Sequence, residues 1–226
     1  MKKKLLMVAF AVLGTASLMA QEHDRDRIQD QDRTKLVMVN GEMLELRDRA
    51  EMHLREKQTL TDGTVVFPDG TFQTRDGERL RLQDGECLDG DGIKYRNEYQ
   101  YRYKVNQENK GLAEAKIQER NQNRVHYTLV DGEMYLIRNQ AQNRLQDPLE
   151  LGNGVVVNAD GTYQSQNRKQ IQLQDGECLN MHGEKFKNTY QHRKMMVQKN
   201  MKANKMIKKG AKKPITKNKI GKKSSK

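Results

Sequence analysis

The chain of 226 residues has no tryptophan, three prolines, two cysteines and only 5% aromatic residues. Two cysteines exclude a disulfide-dense scaffold and any metal site built from four cysteines of one chain. The shortage of aromatics argues against an aromatic-lined ligand groove. The longest purely apolar run, Leu5 to Leu13, has nine residues, half of the roughly 18 that a membrane-spanning helix needs. Charged residues reach 32% against 35% hydrophobic ones, which excludes a multi-span membrane protein. Nucleophile-elbow, phosphate-loop and HExxH patterns are missing, as is any cofactor motif. The chain is therefore read as non-enzymatic.

The first twenty residues have the layout of an export signal: Lys2-Lys3-Lys4, the run Leu5 to Leu13, then Ala20 as the small residue before a cut. An uncleaved N-terminal anchor is the alternative. Leu18 stands where a small residue suits cleavage better, and there is no Cys after the apolar run to carry a lipid. Export to the periplasm or the extracellular space is the expectation, with residues 21–33 a disordered charged segment.

The remainder is a duplication. Leu82 to Leu88 (LQDGECL) recurs letter for letter as Leu173 to Leu179, at an offset of 91. At that offset, 34–102 align without a gap on 125–193, with 28 identities in 69 positions. Apolar character survives where identity does not, as at Phe72/Tyr163 and Leu80/Ile171. Much surface charge does not survive: Asp76 becomes Asn167 and Asp91 becomes His182. Packing is shared between the copies more than surface is.

Each copy reads as short strands between tight turns. Asp62-Gly63, Asp69-Gly70, Asp76-Gly77, Asp84-Gly85 and Asp91-Gly92 follow one another at 7, 7, 8 and 7 residues. Asp-Gly favours two-residue hairpin turns with positive φ at both positions. Stretches such as Thr64 to Phe67 have the β-propensity of strands. The expected fold is all-β: β-module 1 over 34–102, a polar, partly helical linker over 103–124, and β-module 2 over 125–192. Each module is a meander of six to eight strands. Residues 49–58 fit either a charged helix or a strand pair.

From residue 193 the composition changes. Residues 193–226 hold 13 Lys, one Arg and no acid. The net charge of +12 is then an average over unlike parts: the signal carries +3, the tail +14 and residues 21–192 carry −5. A disordered basic tail is expected. Lys199, Lys202, Lys205, Lys208, Lys209, Lys212 and Lys213 are its candidate anion-binding residues. After export the polyanions on offer are lipid head groups and envelope polymers, so nucleic acid is a poor candidate.

The run Val37 to Met43, Leu60 with Asp62 to Val66, Asp69-Gly70-Thr71 and Leu80 to Leu88 resembles an uncharacterised bacterial domain. That domain is one of unknown function, found in exported proteins of Gram-negative bacteria and often in tandem. The resemblance covers about 34–95 and 125–186 and implies fold without chemistry. Repeat 2 departs from it at Arg168, where the turn glycine is lost, and at Asn180-Met181-His182.

Other candidate sites follow from residue type. Cys87 and Cys178 are equivalent positions, read as buried thiols, an intramolecular disulfide or a dimer bridge. Asp84, Asp89 and Asp91 suggest calcium, and His182, His192, Met195 and Met196 suggest copper. Glu42/Glu133 and Glu86/Glu177 are recurring carboxylates that a hydrolase would place in a cleft. The leading expectation is an exported structural or binding protein held to anionic surfaces by its tail. A periplasmic metal- or small-ligand-binding protein comes second and a hydrolase third.

Overall fold

The computed structural model describes residues 33–165 and 167–210. The expected signal peptide 1–20, the charged stretch to residue 32, and 211–226 with Lys212 and Lys213 lie outside the described residues. Repeat 1 supplies β1 (Thr34–Val39), β2 (Glu42–His53), β3 (Gln58–Thr59), β4 (Val65–Val66), β5 (Thr71–Gln73), β6 (Arg79–Arg81), β7 (Cys87–Asp89) and β8 (Lys94–Tyr95). Helices α1 (Glu98–Asn109) and α2 (Glu114–Asn123) follow. Repeat 2 supplies β9 (Val125–Val130), β10 (Glu133–Arg144), β11 (Leu149–Glu150), β12 (Val156–Val157), β13 (Thr162–Gln164), β14 (Gln170–Gln172), β15 (Cys178–Asn180), β16 (Lys185–Phe186) and then α3 (Thr189–Gly210). The fold is mostly β, as its turn spacing predicts, with eight strands per repeat among the described residues. Residues 49–53 belong to the end of β2, 54–57 form a loop and Gln58 opens β3, so the segment is not a helix.

The repeats are not two separate bodies. One antiparallel eight-stranded sheet runs β16-β15-β1-β2-β10-β9-β7-β8. The first hairpin of repeat 1 pairs with β15 of repeat 2, and the first hairpin of repeat 2 pairs with β7 of repeat 1. The order is palindromic about the β2/β10 pair, so a pseudo-two-fold axis crosses the sheet there. Strands β3–β6 and β11–β14 form two smaller four-stranded sheets, one per repeat.

The apolar cores are exchanged in the same way. Leu36, Met38 and Met43 of repeat 1 pack with Val155, Val157 and Tyr163 of repeat 2. Leu129, Met134 and Leu136 of repeat 2 pack with Val66, Phe72 and Leu88 of repeat 1. On the opposite face of the large sheet, Val37, Val39 and Leu46 meet Tyr99 of α1, and Val130 and Ile137 meet Met196 and Val197 of α3. Both faces of β1 and β9 are thus covered, which is why five consecutive residues of each are buried.

The repeated heptapeptide joins the halves. Gly176 N–H donates to Met38 O, Met38 N–H to Glu177 O, and Gly41 N–H to the Asp175 carboxylate. The mirror set runs from Gly85 to Leu129 O, Leu129 to Glu86 O and Gly132 to Asp84. Gly70 has φ +84, and a Cβ there would lie 2.5 Å from Leu129 Cδ1. That turn therefore needs glycine for its conformation and for the close approach of the other repeat.

The turns differ from the expectation in one respect. Among the described residues only Asn40-Gly41 and Asp131-Gly132 have positive φ at both positions. At Asp62-Gly63, Asp69-Gly70, Asp76-Gly77 and Asp91-Gly92 the aspartate stays at negative φ and only the glycine is left-handed. Gly63 N–H donates to Leu60 O and Leu60 N–H to Thr64 O, a three-residue loop built on a type I turn. Asp62 also accepts Thr64 N–H, a bond that an Asx side chain makes two residues on.

The predicted linker 103–124 is mostly helical, since it holds most of α1 and all of α2. The predicted tail boundary at 193 falls inside α3, near its buried start.

In repeat 2 the turn position of Gly77 is taken by Arg168, which holds φ +58. A left-handed L-residue costs about 1–2 kcal/mol, partly offset by the greater backbone freedom glycine loses on folding. Arg168→Gly is therefore expected to stabilise the fold by roughly 0.5–1 kcal/mol. Urea unfolding of the two proteins checks it, and an unchanged or lower midpoint refutes it.

Candidate functional site

The pseudo-two-fold axis passes between two equivalent residues. In the β2/β10 register Asp48 lies opposite Asn139, which is its own counterpart at the offset of 91. Around this pair the protein buries an ion network. Lys35 Nζ lies 2.9 Å from Asp48 and 3.6 Å from Glu51. Arg102, from α1, reaches Asp48 at 3.1 Å and Glu98 at 2.9 Å. Arg193, from α3, reaches Asp48 at 3.0 Å, Glu98 at 2.8 Å and also Glu51. All six side chains are at most 3% exposed.

The two repeats contribute unequally. Arg102 and Arg193 are equivalent, but Asp48, Glu51 and Glu98 of repeat 1 correspond to Asn139, Gln142 and Thr189 of repeat 2. Lys35 corresponds to His126. Three cations meet three acids, and repeat 2 carries neutral groups at the positions equivalent to those acids. Gln142 donates to Arg102 O at 3.1 Å and Asn139 to the Tyr101 hydroxyl at 3.4 Å.

Burial alone would raise each carboxyl. For Asp48 the nearby Lys35, Arg193 and Arg102 more than reverse it and hold the group far below the usual carboxylate range. Glu98 is likewise pushed up by burial and pulled well down by Arg193 and Arg102. Burial wins at Glu51, which is raised despite Arg193 and Lys35. Burial draws His126 down to about 4, although Glu98 lies 3.5 Å away. It also draws His192 down to about 3, helped by Lys35 and Arg193.

Above this network a cleft of about 330 Å³ straddles the axis. Asp84, Arg96 and Tyr99 line it together with their counterparts Asp175, Lys187 and Tyr190, Tyr99 lying against Gly176 and Tyr190 against Gly85. Asn97 and Asn188 cap the starts of α1 and α3, accepting the N–H groups of Gln100 and Gln191. Gln100 and Gln191 accept in turn from Arg96 and Lys187 N–H. Among the described residues neither the Arg96 nor the Lys187 side chain joins an ion pair.

Cys87 and Cys178 are buried free thiols on β7 and β15. Five strand spacings separate those strands, or about 24 Å at ~4.8 Å each, far beyond the ~7 Å limit for a disulfide. Burial raises both thiols, Cys178 to about 12. Lys199, Lys202 and Lys205 are exposed on the distal part of α3. Lys208 and Lys209 stand in its last turn.

The metal candidates are dispersed. His192 is buried against Phe186 while His182 is exposed, and Met196 belongs to the apolar cluster under α3. Asp89 is taken by Tyr95, Lys104 and two backbone N–H groups, Asp91 by Thr61, and Asp84 by Gly132. No group of three potential ligands converges among the described residues. Glu86 and Glu177 each accept a turn N–H and pair with Lys94 and Lys185. Glu86 and Glu177 are thus turn-closing residues, while Glu42 pairs with Arg144 and Asn106 and Glu133 lies beside His53 and Tyr135.

Removing one partner from a buried ion network costs about 3–5 kcal/mol, because the remaining charges stay buried. Arg193→Met should lose at least that much by denaturant unfolding. Lys194→Met, one residue further on and exposed, should leave the unfolding midpoint nearly unchanged. Equal losses would refute the placement of Arg193.

The histidines give the acid response. Folded His126 and His192 sit below their ordinary value of 6.5, at about 4 and about 3, so the unfolded chain binds more protons between roughly pH 3 and 6.5. Their contribution is complete above that window and is lost as pH falls through it. The raised Glu51 acts in the opposite sense above its ordinary range. At pH 5 each histidine removes about 2 kcal/mol relative to pH 7. Replacing His126 with Gln should therefore shrink the drop between pH 7 and pH 5 by about that amount; an unaltered drop contradicts the assignment.

No curated protein and no solved structure gives a significant match to the chain. A family model does match, twice, over 33–93 and 124–184. The matched segments cover each copy from its first hairpin to the turn after β7 or β15, together more than half of the chain. They include every strand that crosses to the other half and stop short of Arg102 and Arg193. The chain belongs, by two tandem copies, to the family described as domain of unknown function DUF6799.

Proposed function

We propose that the protein is an exported, non-enzymatic attachment protein, in which the duplicated β body is a rigid mount for a basic helix that binds anionic envelope surfaces. One observation carries this reading: α3 is rooted in the core and cationic beyond it. Its first turns bury His192, Arg193, Met196 and Val197. Beyond them Lys199, Lys202 and Lys205 recur every three residues on the exposed side. No acid follows Glu184 in the chain. Met201 and Met206 are exposed beside the lysines, which supplies apolar contact of the kind an interfacial helix uses. Charge of one sign on a helix fixed to a folded body holds the body at a set distance from an anionic layer.

A second reading, a small-ligand-binding protein, is favoured by the cleft over the axis, lined by both Arg96 and Lys187. A titration with small dianions, read by thermal shift, separates it from the first, because vesicle binding does not need the cleft.

The test of the leading reading is co-sedimentation with vesicles containing anionic phospholipid. Each lysine near such a surface contributes about 1 kcal/mol, screened by salt. Residues 199–226 hold twelve lysines. Their deletion should lower binding on the order of 100-fold or more and leave the unfolding midpoint nearly unchanged. Deletion of 193–226 should unfold the body. Binding that survives loss of 199–226 refutes the proposal.

A further inference from the structure

We infer that the charge buried on the pseudo-two-fold axis is a pairing code: the face of repeat 1 accepts repeat 2, including the second repeat of another copy of this chain, and rejects a second copy of repeat 1. Neither repeat closes a core alone, since each first hairpin is buried on the other repeat's small sheet. The joining surface is nearly self-complementary in shape. Its backbone stitches occur as mirror pairs, Gly176 to Met38 and Gly85 to Leu129, and the β2/β10 register maps onto itself under the offset, with Tyr135 opposite His53 and Arg144 opposite Leu44. Shape and hydrogen bonding therefore allow like to pair with like, and the axis decides.

Two copies of repeat 1 would bring Asp48 against Asp48 and bury six acids with four cations, because Lys35, Asp48, Glu51, Glu98 and Arg102 all come from repeat 1. Two copies of repeat 2 would bury both Arg193 side chains with no acid, since its equivalents of the acids are Asn139, Gln142 and Thr189. Only the mixed pair matches three cations to three acids. Like charges that cannot be solvated are the usual means by which an interface refuses a wrong partner.

The exposed turn at Lys110-Gly111, where a Cβ would meet nothing, allows the whole chain to be cut between the repeats. A protease site placed there gives two fragments of different mass, both present in equal amount. After unfolding and refolding, native mass spectrometry counts the three possible dimers. The mixed dimer is expected in at least tenfold excess over either like dimer, whereas proportions near the random 1:2:1 would overturn the inference. The uncut chain gives an independent answer. Asn139→Asp puts a second carboxylate on the axis and should lower the unfolding midpoint. Adding Asp48→Asn moves the acid to its symmetry-related place and should recover at least half of the loss. A double variant no more stable than Asn139→Asp alone would overturn the code even if the cut chain fails to refold.

Discussion

Asp48 facing Asn139 across the central strand pair is the contact on which the rest of the structure depends. A duplicated chain folded about its own axis brings each axial residue against its copy. An acid there would face an acid in a place without water, where unpaired charge costs several kcal/mol. Replacing one carboxylate by an amide removes the repulsion and keeps the shape. The remaining carboxylate can then be shared by Lys35, Arg102 and Arg193, which arrive from a strand and two helices. That sharing fixes where α1 and α3 lie, and the position of α3 fixes where the basic residues leave the body.

The exchange of hairpins follows from the same symmetry. A strand covered on both faces must find two apolar surfaces. For β1 these are α1 on one side and the small sheet of the other repeat on the other. The identical heptapeptide can be understood in this light. Its aspartate, glycine and glutamate serve the partner repeat's hairpin as well as their own turn, so a change there would break two contacts at once.

Much of the architecture is legible in the sequence: the duplication, the β class, the turn spacing and the acidic body with a basic end. The exchange is not legible, because an apolar residue in Leu36 looks the same whether it packs on its own repeat or on the other. Periodicity reports burial and not the partner. The ion network was hidden for another reason. Arg193 sits where a lysine-rich composition begins, and averaging over residues 193–226 assigns it to the tail. Its signal was the alignment itself, in which Arg102 and Arg193 are the last matched pair. The departures Asp48/Asn139 and Glu51/Gln142, which look like surface drift, are the most informative differences between the copies. The cysteines show the limit of equivalence: symmetry places matching residues on opposite flanks of a sheet unless they lie on the axis.

The position of Arg193, late in the chain relative to its partners Asp48, Glu51 and Glu98, also governs when the buried charges can be paired. Sheet pairing joins residues as far apart as Lys35 and Asn180, and the last cation of the network follows later still. The core that joins Val66, Phe72 and Leu88 to Leu129 and Leu136 needs nothing beyond β10, whereas the core that joins Leu36 and Met43 to Val157 and Leu173 waits for β15. Folds built on such distant pairings form slowly, because long loops must close before their contacts contribute. The two cores thus close at different lengths of chain, and the buried acids find their last cation only when the helix that carries Arg193 is in place.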